Sequence, residues 1–572
     1  MKNSLFSLSG ISLVALSAVA MNACMPTPEG QSIVDPQDFA ARPPIAMTST
    51  ASATVVGGRF AAGSLSRAPR IVVAYNDFQD TLTSAGVQRA GSSMMGVAVS
   101  DDHGVTWNRQ VIPLPPPFGA LRLDGIGGNP AIASAGWMQP AVGGQAPAQS
   151  AVVHVAEAFT LQLVNPNDPT MGTFRSAKVV CSASNDGAMT WSQPLNVPPM
   201  FNIGNLVTPS RPAITVHSIS GQQIAYLAMI GDEGTPNATV RVTHAPIGAN
   251  NNGCTFSGSY YAPFLPSGDA ERLRRVKIVS NPRLGALLAM ELRSPIAGAS
   301  GDENNELCTV HLEQLTLVPS PSGAQIQGRA LPSFEGPCRR LVRVGGVDLD
   351  LSHMDFAVDA STTVAIAGAP RVDTTARRAH LVITRDPSAE DTIEGSEVVY
   401  QELVSDLAGI TQTFTAATPV VLSDAVSAGE IVFQPTVSSV ELPAQAGQSA
   451  SSHVFVTWYQ MNGNGQVRFF GRTRPAGSSQ WSPARLLHSN DLQSTESICP
   501  TARELDPLWS QYGSSISLMD GWPGGASLSD PNLRLDYFPL TVTFFTSSRQ
   551  QPCSDRAFDA ALFQELHAAR WR

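Results

Sequence analysis

The stretches Ser100-Asp-Asp-His-Gly-Val-Thr-Trp107 and Ser184-Asn-Asp-Gly-Ala-Met-Thr-Trp191 follow one pattern, Ser-x-Asp-x-x-x-Thr-Trp. Each reads as a tight turn. Ser and Asp side chains accept hydrogen bonds from nearby backbone N–H groups, and glycine permits positive φ. Thr and Trp then open the outgoing strand with an indole ready to pack. A chain that reuses one hairpin signature is predicted to be a stack of similar β units.

The residues Ser100, Asp102, Gly104, Thr106 and Trp107 in the first copy, with Ser184, Asp186, Thr190 and Trp191 in the second, resemble the Asp box of sialidase-like β-propellers, Ser-x-Asp-x-Gly-x-Thr-Trp. The first copy matches throughout; the second has Ala188 at the Gly position and Gly187 one place early. A weaker echo, Gly477-Ser-Ser-Gln-Trp481-Ser-Pro483, has lost the Asp. The resemblance implies that these residues are fold elements, remote from any active site.

Composition agrees with a turn-rich β protein. Glycine and proline number 47 and 43, and charged residues make up 14%, against about 25% in an average soluble domain. Only Lys2, Lys178 and Lys277 are lysines, so the other basic residues are arginine, and the net charge is −10. Such a surface offers no general attraction to nucleic acid. The cluster Arg272-Leu-Arg-Arg275 is read as a solvated face.

Short apolar runs recur at Ile71–Tyr75, Val152–Ala156, Ile224–Ala228, Ala286–Met290, Val364–Ala367, Val454–Trp458 and Leu540–Phe544. Pro-led runs precede several of them, at Pro130–Ile132, Pro212–Ile214 and Pro435–Val437. The runs are continuously apolar because both faces of such strands are covered. The fold class is therefore all-β: a single β-propeller of four-stranded blades over 54–572, seven blades preferred and six the alternative. Trp107, Trp191 and Trp481 are expected between sheets, and His154 is read as a core residue. The final strand, near Phe563–Trp571, also scans as a helix; if the ring closes there, its partner is an edge of the first blade or the segment near Val55–Arg59.

The beginning of the chain carries targeting information. Met1-Lys-Asn, the apolar run Leu5–Ala20 and Met21-Asn-Ala-Cys24 read as a signal peptide over 1–23. Ala23-Cys24 resembles the end of a bacterial lipobox, which implies lipidation of Cys24; ordinary cleavage after Ala20 is the alternative. A Pro/Ser/Thr-rich tether over 24–53 follows. The expected location is the bacterial cell envelope, held by the lipid alone, or secretion. The remaining six cysteines suit an oxidising compartment. Expected pairs are Cys181 with Cys254, Cys308 with Cys338 and Cys499 with Cys553, with buried free thiols as the alternative.

No metal or cofactor is expected. The acidic stretches Gly301–Glu306 and Asp348–Asp350 lack calcium-loop spacing, and there is no nucleophile elbow, HExxH or phosphate loop. The resemblance to retaining sialidases implies three carboxylate-binding arginines, a Tyr activated by Glu, and an acid/base Asp. Their Phe/Tyr-Arg-Ile-Pro mark is reduced here to Arg70-Ile71, and Arg70 is read as a blade-edge residue. No catalytic residue is assigned. The preferred reading is a monomeric, non-catalytic propeller that binds a glycan or an envelope protein through its loops, with exo-α-sialidase or another glycoside hydrolase as the alternative.

Overall fold

The computed structural model describes residues 46–47, 51–56, 70–77, 80–83, 86–89, 94–101, 104, 106–112, 121–134, 152–162, 175–202, 205–207, 209–219, 222–233, 238–248, 251–257, 272–281, 285–295, 303–312, 318–320, 323–325, 339–347, 354–361, 378–385, 396–406, 413–424, 430–442, 451–461, 467–475, 477–489, 516–519, 540–548 and 564–571. All regular structure among them is strand.

The strands form consecutive antiparallel meanders. Blade 1 is Ala51–Val56, Arg70–Asp77, Met94–Ser100 and Asn108–Ile112; blade 2 is Leu121–Ser134, Val152–Gln162, Arg175–Ser184 and Leu195–Asn196. Blade 3 is Pro209–Ile219, Gln222–Gly231, Thr239–Gly248 and Asn251–Asn252, and blade 4 is Arg272–Asn281, Gly285–Pro295, Glu303–His311 and Arg339–Val347. In blade 5, Met354–Val358, Arg378–Arg385 and Glu397–Asp406 are edged by Thr413–Ala416 and Val420–Val421. Blade 6 is Ile431–Leu442, Ser451–Met461, Val467–Arg474 and Arg485–Ser489, with Ala360–Ser361 paired in parallel to its first strand.

These six blades are each drawn from one continuous stretch of chain. A further four-stranded sheet, blade 7, is composite: Ile516–Met519, Leu540–Ser548 and Gln564–Trp571 from one end of the chain, edged by Ala46–Met47 from the other. The first strand of every blade touches the first strands of its two neighbours, and blade 7 bridges blades 6 and 1, so the first strands close a ring. The lower blade count expected from sequence describes the continuous part, and the composite sheet makes the total seven among the described residues.

The closing sheet takes the final strand as expected and gives it a different partner. Residues 564–571 are a strand, because their alternation lets them pair with Leu540–Ser548 on one side and Ala46–Met47 on the other. The closing partner is therefore neither blade 1 nor the segment near Val55, which instead lies in the first strand of blade 1. Among the described residues, Ala46–Met47, within the stretch read as tether, pairs with Glu565–Leu566.

Six of the seven apolar runs are the second strands of their blades. The exception is Val364–Ala367, which lies outside the described residues; the second strand of blade 5 is Arg378–Arg385. Alternate residues of the second strands of blades 2 and 3 serve different cores. In blade 2, Val153 and Val155 pack toward blade 3 while Val152 and Ala156 pack toward blade 1. In blade 3, Ala225, Leu227 and Met229 face one way and Ile224, Tyr226, Ala228 and Ile230 the other. Each fully buried Val, Leu, Ile or Met among them contributes roughly 1.5–3 kcal/mol, and this two-sided burial removes the polar alternation of a one-faced sheet.

Trp191 packs on the core between blades 1 and 2, and Trp481 on the core between blades 5 and 6. Trp107 is half-buried. Gly96 is required sterically, since a Cβ there would lie 2.2 Å from the Tyr75 ring. Cys181 and Cys254 form a disulfide that staples blade 2 to blade 3. Gly253, at φ 87°, lets the chain reach it, and a Cβ there would meet Val153 at 2.8 Å.

Candidate functional site

The meander order gives the ring two distinct faces. First and third strands begin, and second strands end, on what is termed here the upper face; third strands end on the turn face, where both Ser-x-Asp turns lie. The second of these turns is fully bonded. Ser184 Oγ accepts from Ala188 N at 2.8 Å and donates to Asp186 Oδ1 at 2.7 Å; that oxygen accepts from Met189 N and Thr190 N at 2.9 Å each. Thr190 Oγ1 donates to Asp186 Oδ2 at 2.6 Å. Burial would raise the Asp186 pKa, but these donors, led by Thr190, hold it below the ordinary aspartate value. In the first turn Gly104 N donates to Ser100 Oγ at 2.8 Å. Ala188, aligned with Gly104, adopts φ 69° against 80° for the glycine, so the departure in sequence leaves the turn unchanged.

Arg70 belongs to the same face. Its Nε and Nη2 donate to Asp101 at 2.6 and 2.8 Å, and its Nη1 donates to the Gly187 carbonyl at 2.7 Å. It thereby locks the turn of blade 1 to that of blade 2, and it is a fastener. His154 is fully buried, edge-on to Trp191 with ring centroids 6.2 Å apart, and burial holds its pKa down at about 4.

Between blades 5 and 6 the structure does assemble a Tyr–Glu pair beside two arginines. Tyr400 Oη reaches Glu402 Oε2 at 3.4 Å; Arg474 of blade 6 bonds that same oxygen, and Arg378 Nε stands 3.6 Å from Oε1. His380 joins Tyr400 Oη at 2.8 Å through Nδ1 and Asp359 Oδ1 at 2.7 Å through Nε2, and Asp359 Oδ2 accepts from Ser452 Oγ of blade 6 at 2.6 Å. Arg474 also lies 5.3 Å from the Tyr400 ring centroid, and Trp481 packs edge-on to Tyr400 at 4.8 Å. Burial pushes the Tyr400 hydroxyl far above its ordinary pKa, against the pull of Arg474. For Glu402 and Asp359 burial acts upward too, but Arg474 for the first and His380 for the second prevail and hold both carboxyls low. Asp359 and His380 are 0% exposed. A nucleophile needs access and a base free to take its proton; here the base is spent on arginines and the network joins two blades.

The channel wall is fastened in the same manner. Asp355, on the first strand of blade 5, accepts from Lys277 Nζ of blade 4 at 2.7 Å and from Val437 N of blade 6 at 3.0 Å, so one buried carboxylate ties three blades. Thr54 and Ser134 bond at 3.0 Å between blades 1 and 2, and Thr215 and Ser280 at 2.9 Å between blades 3 and 4.

On the upper face the polar side chains come from first strands and the ends of second strands. In blade 3, Glu233 pairs with Arg211 and accepts from the Ser210 hydroxyl, and Asp232 stands near enough to Arg241 to act on its charge. In blade 6, Gln460 Nε2 donates to Glu430 Oε2 at 3.2 Å, and Gln434, in the first strand, is buried. Sequence reading passed over Arg211 and Gln434; the available signal was a polar residue directly before the proline of a Pro-led run. Among the described residues no group of three or more His, Cys, Asp or Glu side chains is placed to hold a metal. Cys24, Asp102, Cys338, Cys499 and Cys553 lie outside the described residues, as does the segment 1–23. Cys308 sits in the third strand of blade 4, opposite Arg340.

No family model and no curated protein matches this chain. Solved structures similar to it include the α-L-arabinanase of Penicillium chrysogenum complexed with arabinobiose, at 10% identity and TM-score 0.34, covering 91% of this chain and 92% of that one. The intramolecular trans-sialidase of Ruminococcus gnavus is similar at 9% identity and TM-score 0.36 over 76% of this chain and 93% of that one. The α-L-arabinofuranosidase Arb93a of Fusarium graminearum is similar at 11% identity and TM-score 0.34 over 78% and 95%. No residue role is carried over from them. By its own sheet topology the chain is a single all-β propeller of mostly four-stranded blades.

Proposed function

We propose that this chain is a non-catalytic propeller of the cell envelope that binds a glycan at its upper face. The observation that carries the reading is the commitment of Glu402: the carboxylate beside Tyr400 is clamped by Arg474 and Arg378 toward the turn face. Glycoside hydrolysis needs an accessible nucleophile and acid/base flanking one bond, two carboxyl groups in most families and a Tyr activated by Glu, with a separate acid, in sialidases. Asp355 and Asp359 are likewise held by cross-blade bonds and are 3% and 0% exposed. On the upper face Glu233, Glu430, Gln460 and Arg241 are half-buried at or beside strand ends, a placement from which a scaffold can present polar groups to a ligand.

Two measurements test this. Purified protein is incubated with fluorogenic α-sialoside and α-L-arabinofuranoside substrates, with no turnover expected above a heat-inactivated control. The same protein is then applied to a glycan array, where selective binding is expected. Turnover abolished by Glu402→Gln would refute the non-catalytic reading, and a flat array would refute glycan recognition in favour of a protein partner.

A further inference from the structure

The innermost strand of blade 4, Arg272–Asn281, carries four cations and no acid: Arg272, Arg274, Arg275 and Lys277. The innermost strands of the other six blades together hold Arg122 and Arg211 against Asp124, Asp355 and Glu441. On a chain whose net charge is −10, one stave of the channel wall is therefore strongly basic. The Arg272-Leu-Arg-Arg275 cluster opens that stave, where the strand begins on the upper face.

Two local features concentrate charge there at a cost to stability. Arg272 lies directly opposite Arg293 of the second strand, and like charges at opposed positions of an antiparallel pair are destabilising. Between Leu273 and Arg275 the register shifts and takes in Arg274 as an extra residue; bulges are over-represented beside active sites, where they re-aim a side chain. Farther along the strand the cations are answered. Lys277 Nζ donates to Asp355 Oδ1 at 2.7 Å, while Arg275 donates to the Met354 carbonyl at 3.2 Å and is opposed in register by Glu291. The Arg275 and Lys277 side chains still keep 29% and 34% of their surface. Arg293 is opposed on its other side by Asn305, so the register sets no carboxylate opposite Arg272 or Arg293.

From Arg272 to Lys277 the strand runs roughly 16 Å, at about 3.3 Å per residue. A lone carboxylate spans too little of this length to meet the series, and a neutral sugar would leave the repulsion in place. A chain with an acid group on successive sugars does both. We propose that the upper end of this stave is the ligand-contacting part of the channel mouth and that its ligand is a polyanionic saccharide, with repeated carboxylate or sulfate groups. This rests on the glycan reading above and adds the place and the class of sugar.

The test is calorimetric titration of the full chain with oligogalacturonate and with dextran sulfate, which separate carboxylate from sulfate, and with uncharged dextran, sialyllactose and single-stranded DNA. Binding to oligogalacturonate or dextran sulfate is expected, falling as salt screens the charges and weakened roughly tenfold or more by the double variant Arg272→Gln, Arg274→Gln. The charge-matched double variant Arg109→Gln, Arg485→Gln, on the outer strands of blades 1 and 6, should stay within about twofold of the original. The thermal midpoint of the first variant should hold or rise, because it relieves the opposition of Arg272 and Arg293; a cluster of purely structural value would lose stability along with affinity. Equal affinities in the two double variants overturn the site and leave the glycan reading standing. Sialyllactose bound as tightly as the acidic polymers overturns the repeated-acid class, and DNA bound as tightly overturns the saccharide in favour of any polyanion. Preference for uncharged dextran overturns the acidic class alone, and binding to none of them overturns both proposals together.

Discussion

Removing the Cys181–Cys254 bridge should destabilise the propeller by an amount that its loop length sets. The two sulfurs close a loop with a sequence separation of 73, for which the chain-entropy relation gives about 4.4 kcal/mol at 25 °C. That stabilisation acts on the unfolded chain, which loses the freedom to separate blade 2 from blade 3. For 572 residues, at about 2.1 cal/mol/K each, the unfolding entropy is roughly 1.2 kcal/mol/K, so the thermal midpoint should fall by about 4 °C. The assay compares the double variant Cys181→Ala, Cys254→Ala with the original protein by calorimetry and by denaturant titration, with and without reductant. Because the cysteines are 0% and 2% exposed, reductant should have no effect on the folded protein and should act only once denaturant opens it. A midpoint change under about 1 °C in the variant, or ready reduction of the native protein, would refute the argument that this staple spans two packed blades.

Stability should also fall as the solution is acidified below neutrality. Burial holds the pKa values of His154, His244 and His453 at about 4, with Arg474 assisting at His453. The unfolded chain, with histidines near 6.5, then binds more protons than the native one, so stability is lost as pH drops from about 6.5 toward 4. Asp186, Asp359 and Glu402 carry lowered values, so what they contribute is intact above the ordinary carboxylate range and is lost only as pH falls through their depressed native values. Thermal melts from pH 8 to 4 check this: His154→Leu should flatten the upper part of the slope, and an unchanged midpoint between pH 7 and 5 would contradict it. For the anchor, Cys24→Ser expressed in a bacterial host should move the protein from the membrane fraction to the soluble one, and unchanged fractionation would remove lipidation from the account.

Much of the architecture is legible in the residue pattern. The two Ser-x-Asp-x-x-x-Thr-Trp stretches are local structures whose hydrogen bonds close within a few residues, so their chemistry reads directly from the chain. The apolar runs marked six second strands correctly because such strands are covered on both faces. The fifth was missed for a physical reason. Arg378–Arg385 carries Arg378 and His380, which read as surface residues until Asp359, Tyr400, Glu402 and Ser452 are brought around them. A polar residue buried by long-range partners leaves no periodic trace.

Sequence by itself determined the repeating β unit, the turn chemistry, the core strands and one cysteine pair. Only the tertiary structure decided that both ends of the chain combine in one closing blade, since the two strand pairings of Ala46–Met47 join residues more than five hundred positions apart. It also decided which polar groups are fasteners. Arg70, Asp355 and Glu402 take their partners from the next turn or the next blade, and the φ of Arg211 and Gln434 follows from register slips against neighbouring strands. Pairing across blades depends on where the ring places each sheet, and that placement is a property of packing that no local window of residues encodes.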